Sequence, residues 1–230
     1  MSVVGQDLFT EAVNTGLASH TPDVGAGWTL EVAGSYTVIA ADDNLEHNNG
    51  VVEMARKGDD VGSADMDVSC NAMSTNSTSR LTGVCGRMTT ADFANAIQAY
   101  FVGDGGTTVD VKLYSEIGGV RVEDGSYDAN IAQATMTALK LSLRTVASVL
   151  AAEVFVAGVS RITKTYLTDA LAGNQYAGVI GQASGNNSVR LDDFLSESVA
   201  AAAGHPAMRR LGMTRFGRPV EMGRSQAMVA

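Results

Sequence analysis

The chain has 230 residues, a length that one all-β domain can use and that suffices to bury a sizeable core. Hydrophobic residues make up 45% of the sequence and charged residues 18%, which excludes a disordered chain and leaves a surface poor in charge. The net charge of −9 would repel a polyanion, so nucleic acid is not expected as a partner.

Strand patterns dominate the chain as far as residue 195. Residues 62–70, for example, alternate apolar and polar side chains, the period of a half-buried strand. Turn residues recur every eight to twelve positions, which is typical of a sandwich or barrel. In chain order, strands are predicted within 28–40 (two, broken at Gly34) and at 62–70, 81–88, 97–102, 109–116, 120–122, 137–145, 148–156, 160–166, 177–182 and 188–195.

Two hairpins are predicted from turn residues. The segment 103–108 (GDGGTT) contains Asp-Gly and Gly-Gly pairs and joins the strands 97–102 and 109–116. A polar turn at 76–79 joins 62–70 to 81–88, and in that hairpin Cys70 and Cys85 would face each other. One interpretation is a cross-strand disulfide or metal clip. The other, which is favoured for a cytoplasmic chain, is that the two cysteines are small buried residues.

Two segments have helical alternatives. Residues 90–100 begin with Thr90, a possible N-cap, and place Phe93 and Ile97 one helical turn apart. Residues 131–149 are rich in Ala. Strands are preferred in both, because β-branched and turn residues bound most segments.

Neither a leader nor a membrane span is expected. The first ten residues have no basic start or apolar run, and the apolar-rich stretch 146–159 contains Glu153 and is too short to cross a bilayer. We therefore expect the chain to fold in a cytoplasm, with no membrane partner.

The composition changes at the C-terminus. Segment 204–230 carries five arginines against one glutamate, a net of +4, so residues 1–203 carry −13. Four glycines and two prolines prevent one continuous helix, which predicts an extended arm at 200–230 beside a domain at 1–199. The arm would order on a partner surface or pack on its own domain. The predicted partner-binding residues are Arg209, Arg210, Leu211, Met213, Arg215, Phe216, Arg218 and Arg224.

Several short motifs occur along the chain: 7–10 (DLFT), 17–23 (LASHTPD), 27–29 (GWT), 83–88 (GVCGRM), the strand pair within 100–114, and 189–194 (VRLDDF). Together they resemble the concanavalin/laminin-G jelly roll, found in carbohydrate-binding modules, glycoside hydrolases and tailed-phage structural proteins. The resemblance implies an antiparallel β-sandwich. The family's calcium ligands have no matching positions here, so no metal or other cofactor is expected.

The arm is similar to the C-terminal ends of phage virion proteins. The resemblance thus implies a capsid-decorating (cement) protein or another virion surface protein, assembled in the host cytoplasm. Its partners would be the major capsid protein or another virion protein, and sister copies in a homo-oligomer. The alternative is a carbohydrate-binding module for host adsorption that uses Trp28 or loop tyrosines as stacking platforms, although its place in an alternating strand favours Trp28 as a core residue.

No catalytic residue is expected. Glycoside hydrolysis needs two carboxylates on either side of the scissile bond, and the nearest pairs are Asp65 with Asp67 and Asp192 with Asp193. Asp65 and Asp67 are interpreted as a solvated strand face, and Asp192 and Asp193 as loop anchors.

The sequence also gives little support for calcium binding, nucleophilic catalysis or phosphate binding. Asp42, Asp43, Asn44 and Glu46 could hold calcium, but without EF-hand spacing an ordinary acidic loop is favoured. The three histidines lie in predicted loops or the arm with no nucleophile elbow, and 103–106 has no phosphate-loop lysine.

Overall fold

The computed structural model describes residues 1–47, 50–75, 80–89, 93–167, 169–183 and 189–200. In this part of the chain the regular structure consists of strands and one short 3₁₀ helix, Leu17–Ser19. In chain order the strands are β1 (Ser2–Asp7), β2 (Thr15–Gly16), β3 (Trp28–Leu30), β4 (Tyr36–Ile39), β5 (Asn44–His47), β6 (Glu53–Asp60), β7 (Met66–Ser74), β8 (Leu81–Met88), β9 (Ala96–Gly103), β10 (Thr108–Ile117), β11 (Val120–Ala132), β12 (Thr137–Val146), β13 (Val149–Val156), β14 (Val159–Thr165), β15 (Tyr176–Gln182) and β16 (Val189–Ser198).

The strands form two antiparallel sheets packed face to face. One has the order β14-β13-β12-β7-β16-β5-β4-β2, with β1 also paired to β16, and is called the nine-stranded sheet. The other, the seven-stranded sheet, has the order β11-β10-β9-β8-β15-β6-β3. The predicted antiparallel β-sandwich is therefore confirmed.

Alternating side chains place the core between the sheets. In β13 every second residue from Leu150 to Val156 is buried, as the period of a half-buried strand requires. The facing surface of the seven-stranded sheet includes Val111 and Leu113, both fully buried. The segments with helical alternatives contribute β9 and β12, so the preference for strands is confirmed over their described residues.

The predicted hairpin around 76–79 is wrong. Strand β7 pairs with β12 and β16, whereas β8 pairs with β9 and β15, so the two strands lie in opposite sheets. Both carry apolar side chains that sandwich packing buries between the sheets, and local alternation alone does not show which strand is the partner. Cys70 and Cys85 are both buried and both free, as the favoured interpretation expected, but they do not face each other across one hairpin. Residues 76–79 themselves lie outside the described residues.

The other predicted hairpin is confirmed. Strands β9 and β10 pair antiparallel from Gly103 opposite Val109 to Ala96 opposite Glu116. The prediction missed β5 and β6, which lie in a stretch whose charged residues suggested loops. Strand β5 is buried along its whole length, with Glu46 3.2 Å from Arg190 and His47 3.3 Å from Glu53.

Four of the resemblance motifs meet in one buried cluster around the N-terminal strand. Asp7 accepts hydrogen bonds from the indole N–H of Trp28 (2.7 Å) and the backbone N–H of Phe9 (2.9 Å). His20 lies 2.7 Å from Asp7 through Nε2 and 2.7 Å from Glu11 through Nδ1. The ring of Trp28 packs edge-on against Phe194 of β16, with the centroids 5.0 Å apart. Trp28 is 5% exposed, which confirms the prediction that it is a core residue.

Within the described residues, no helical segment is long and apolar enough to cross a membrane.

Candidate functional site

All the residues predicted to bind a partner, from Arg209 to Arg224, lie outside the described residues. The arm at 200–230 and its binding role therefore stay predictions.

A groove of about 370 Å³ opens on the outer face of the nine-stranded sheet. It is called the sheet groove, and it crosses β7, β12, β13 and the irregular part of β16. Its lining residues are Ser69, Cys70, Asn71, Ala138, Leu139, Lys140, Phe155, Gly158 and Asp193.

One wall of the sheet groove is formed by a β-bulge in β16. The register of β16 against β7 shifts between Asp192 and Leu195, and Asp193 has a positive φ of 51°. A bulge re-aims side chains, and a non-glycine residue with positive φ is uncommon enough to need local support. Asp193 receives that support from the Asn71 amide, which donates a hydrogen bond of 2.6 Å to its carboxylate. The bulge therefore presents an exposed carboxylate and an amide side by side.

The other wall is formed by Phe155 and Lys140. Because the inward positions of β13 are Leu150, Ala152, Val154 and Val156, Phe155 projects from the outer face. The ammonium group of Lys140 lies 4.4 Å from the centre of its ring, a cation–π contact, and 3.5 Å from Asp67. The Phe155 ring is half-buried, so part of its surface stays open to the groove.

These walls have the chemistry needed to hold a saccharide. A pyranose ring presents a face of C–H groups, which packs on an aromatic ring, and a rim of hydroxyls that donate and accept hydrogen bonds. Phe155 supplies apolar ring surface, Asp193 supplies acceptors, and Asn71 can both donate and accept. A few polar groups in a largely apolar concavity are the usual composition of a small-ligand site.

The interpretation of Asp65 and Asp67 as a solvated strand face is wrong, because both are buried. Asp65 accepts a hydrogen bond of 2.6 Å from the backbone of Thr145 and lies 3.6 Å from Arg87. Arg144 donates to Asp67 at 2.5 Å. Burial tends to raise the pKa of Asp67, but the hydrogen bonds from Arg144 and Ser142 outweigh it, so the pKa lies below its usual range. Both carboxylates are thus structural anchors.

The second carboxyl pair lies on the bulge. Burial, with the neighbouring charges of Asp193, Asp43 and Asp7, raises the pKa of Asp192 to about 6, although the backbone N–H of Asp193 opposes the shift. That N–H donates to Asp192 Oδ1 at 2.7 Å. The two residues are therefore adjacent on the chain but differ in environment, with Asp192 half-buried and Asp193 exposed.

The predicted acidic loop is only partly a loop. Asn44 and Glu46 lie on β5, and Arg190 lies 3.2 Å from Glu46 and 3.0 Å from Asp42. Among the described residues, no group of three or more His, Cys, Asp or Glu side chains is placed to hold a metal ion.

The outer face of the seven-stranded sheet is filled by its own side chains. Gln98 on β9 reaches across β8 and β15 to contact Met54 on β6, with 3.6 Å between Nε2 and Sδ. Tyr100 stacks on Tyr114, and the Arg121 guanidinium lies 5.1 Å and 4.6 Å from the two ring centres. Tyr100 is therefore buried, whereas Tyr114, like Phe155, is half-buried with a cation over its ring. An apolar cluster lies beneath this face: Met54, Leu81, Cys85, Met88, Ala96, Tyr100, Val102 and Ile180.

The sequence interpretation missed the sheet groove, although one signal was present. The predicted strand at 148–156 alternates Leu150, Ala152 and Val154 with Ala151, Glu153 and Phe155. An aromatic residue on the polar face of an alternating strand indicates a contact surface. The convergence of β7, β12, β13 and β16 could not be predicted, because it depends on which strands pair.

Comparison with known proteins shows the fold. No family model and no curated protein matches the chain. A Bacillus subtilis protein of unknown function with a galectin-like fold is 10% identical, with a TM-score of 0.58 over 87% of this chain and 98% of that one. The carbohydrate-binding module CBM66 from Bacillus subtilis is 12% identical, with a TM-score of 0.54 over 75% of this chain and 96% of that one.

A third similar structure is the GH43 protein BlXynB from Bacillus licheniformis, which is 12% identical with a TM-score of 0.54. The alignment covers 84% of this chain but only 38% of the GH43 protein. At these identities the likeness concerns the fold alone. The chain shares the antiparallel β-sandwich fold of these proteins, which is consistent with the fold that the motif resemblance implied.

Proposed function

We propose that this chain is a non-catalytic carbohydrate-binding module whose saccharide site is the sheet groove. The observation that carries the proposal is the grouping of Phe155, Asn71 and Asp193 in an open concavity of about 370 Å³. A sandwich of the same fold in a named carbohydrate-binding module makes this ligand class a reasonable choice. A volume of about 370 Å³ has room for one or two sugar rings, so binding of short glycans or chain segments is expected.

Asp65 and Asp67 support a binding role in preference to catalysis, because they are held by Arg87, Arg144 and the backbone of Thr145. On the seven-stranded sheet, Gln98 donates to Glu116 at 2.8 Å, and Glu31 accepts a hydrogen bond of 2.9 Å from the Met54 backbone. Burial raises the pKa of Glu31, and the charges of Glu116 and Glu53 add to the shift, although the Met54 hydrogen bond opposes it. Because a glycosidase needs two carboxyl groups facing an open cleft, the test below includes a measurement of glycan cleavage.

The test is a glycan array probed with the full chain, followed by calorimetry on the oligosaccharides that bind. Phe155→Ala should weaken binding at least tenfold, because stacking on an aromatic ring is lost; Asn71→Ala should weaken it less. Tyr127→Ala is the matched control, since Tyr127 also carries a cation over its ring, Arg161 at 4.9 Å, but lies on β11 in the other sheet. Equal affinity in wild type and Phe155→Ala would reject the groove, and release of shorter sugars from the bound glycan would reject the non-catalytic role.

A second proposal concerns where such a module would act. We propose, from the resemblance of the arm, that the chain is a virion structural protein, a capsid-decorating or other surface protein that attaches through its arm to the shell or to sister copies. The contrast between a body of −13 and an arm of +4 favours attachment of the arm to an acidic surface such as a sister copy. Binding only to the assembled shell would stabilise that shell by linkage. The glycan site and this role are compatible, since a virion surface is where host adsorption occurs.

Size-exclusion chromatography with light scattering tests the attachment role. The full chain and a truncation after Val199 should differ, the first forming a defined oligomer and the second a folded monomer. Particle fractions from a phage source should also contain the chain. Two monomers of equal thermal stability, together with absence from particles, would contradict the virion proposal and leave the saccharide proposal standing.

A further inference from the structure

A second cavity, called the end pocket, opens between the two sheets at one end of the sandwich. Its volume is about 470 Å³. Apolar side chains from both sheets and from the segment after β14 form most of its wall: Ile97, Ile117, Leu150, Tyr166, Leu167 and Leu171. The sheet groove shares none of these residues, so the end pocket is a separate feature.

The rim of the end pocket is unusually apolar for an exposed surface. Leu167 is 97% exposed and Ile117 is 45% exposed, and both line the opening. Val120, directly opposite Ile117 across the β10–β11 hairpin, is 65% exposed. Large apolar side chains grouped around a cavity mark an interaction surface in preference to a solvated one.

The polar part of the rim carries a carboxylate. Asp124 accepts a hydrogen bond from the Tyr166 hydroxyl (2.8 Å) and lies 3.4 Å from the Lys164 ammonium; its own side chain is 7% exposed and that of Lys164 is 38% exposed. An arginine brought beside the pocket would pair with Asp124 by displacing the exposed Lys164 ammonium, and an apolar neighbour of that arginine could enter the cavity. The occupant that fits is a peptide in which arginines alternate with large apolar residues.

The chain itself contains such a peptide. Segment 208–218 (MRRLGMTRFGR) places Leu211 and Phe216 among four of the arginines. The part of the chain outside the arm carries −13 and the arm +4, so their association is favoured by charge.

The end of the described chain lies on the same side of the sandwich as the end pocket. Ser198 on β16 starts a row of paired residues that continues through Met66, Leu143 and Ala152 to Lys164, a residue of the pocket wall. Four strand spacings separate the ends of this row, about 19 Å. The ten residues 201–210 can span about 33 Å when extended, so Leu211 and Phe216 can reach the pocket of their own chain or of an adjoining copy.

We propose that segment 208–218 docks in the end pocket, with Phe216 or Leu211 inserted among the apolar wall residues and an arginine paired with Asp124. This inference does not depend on the saccharide site. It specifies the surface that the arm would use if it also joins sister copies.

Hydrogen exchange by mass spectrometry on the full chain tests the proposal. Peptides covering 114–121 and 164–171 should exchange several-fold faster in the double variant Leu211→Ser/Phe216→Ser than in wild type. Met228→Ser, an apolar-to-polar change in the arm outside 208–218, is the matched control and should leave the rates unchanged. Leu167→Asp changes the pocket side of the same contact and should also make 114–121 exchange faster. Because Leu167 is exposed, its replacement leaves the core intact.

Light scattering on the same samples tells which copy supplies the segment. Protection in a monomer means that the segment folds back on its own chain, and protection in an oligomer means that it docks on a neighbour; both support the proposal. Exchange rates in 114–121 that neither the arm double variant nor Leu167→Asp changes would overturn it.

Discussion

His20 shows how a few side chains stabilise the N-terminal part of the sandwich. It is 5% exposed and both ring nitrogens lie 2.7 Å from carboxylate oxygens, one from Asp7 and one from Glu11. A ring with an acceptor at each nitrogen is satisfied only as the imidazolium, which donates from both. Desolvation by burial lowers the pKa of His20, but hydrogen bonds to Asp7 and Glu11 outweigh it, so the pKa is raised above 6.5.

This arrangement predicts a specific pH dependence. Since the folded-state pKa exceeds the unfolded value, the stabilisation is fully present below pH 6.5 and is lost as the pH rises through the folded pKa. The free energy of unfolding should therefore fall as the pH rises above 6.5, by at most about 1.4 kcal/mol per pH unit. Urea unfolding of wild type and His20→Gln at each pH measures it. The difference between the two should be largest below pH 6.5 and shrink as the pH rises above it, and a difference independent of pH would show that the pKa of His20 does not change on folding.

The sequence partly predicted which residues form this cluster. The motifs around Asp7, His20, Trp28 and Phe194 carried the resemblance to the lectin-like fold, and the structure brings all four together. What could not be predicted was their role, because His20 reads in sequence as a loop residue. Its burial depends on a 3₁₀ turn, Leu17–Ser19, that returns the chain to the core.

At the scale of elements, close approach of strands makes one glycine indispensable. A Cβ at Gly83 on β8 would overlap the carbonyl oxygen of Ala99 on β9 and lie 2.7 Å from the Cβ of Tyr100. The obstacle is backbone, which cannot move without breaking the ladder between the strands. Gly83→Ala should therefore destabilise the fold by about 3 kcal/mol, the upper part of the range for overpacking.

Chemical denaturation of Gly83→Ala beside Gly16→Ala measures this effect. Gly16 is the matched control, because a Cβ there meets nothing within 4 Å and its φ of −63° suits any residue. The control should change stability by less than about 1 kcal/mol. Equal stability of the two variants would contradict the close packing of β8 on β9.

The placement of β7 and β8 in opposite sheets makes a further prediction. Cys70 and Cys85 are free and buried, and burial raises the pKa of both thiols, so little thiolate is present to react. Alkylation in denaturant without reductant should add two adducts per chain by mass, whereas the native protein should label slowly. A chain that gains no adduct in denaturant until it is reduced would show a disulfide and contradict this placement.

These strands also show where prediction from sequence ends. The existence of β7, β8, β12 and β13 follows from alternation that each segment carries by itself. Their partners do not, because an apolar face can be buried by any facing strand. Strands with charged residues are harder to predict. In β6 the buried Lys57 donates a hydrogen bond to the backbone carbonyl of Ala26, and its ammonium group lies 5.8 Å from the centre of the Trp28 ring. Both partners lie far from Lys57 in sequence, so local composition does not show them.

At the scale of the molecule, composition predicted the architecture better than the site. Frequent turn residues and alternating segments were sufficient for an antiparallel sandwich, and the structure confirms it. The sheet groove required four strands to meet beside a bulge at Asp193, and the end pocket required strands of both sheets and the segment after β14 to converge. Both depend on tertiary pairing, whereas the charge of the arm is visible in the sequence alone.

A nitrogen–proton NMR titration of the full chain with the oligosaccharide that binds best on the array tests saccharide binding in the sheet groove most directly. If the saccharide binds there, amide shifts should be confined to Ser69–Asn71, 138–140, Phe155 and Asp193, with no change at Tyr100, Tyr114 or Arg121. Shifts centred on those three residues would place the saccharide on the seven-stranded sheet instead. An absence of shifts at millimolar sugar would contradict the carbohydrate-binding function itself.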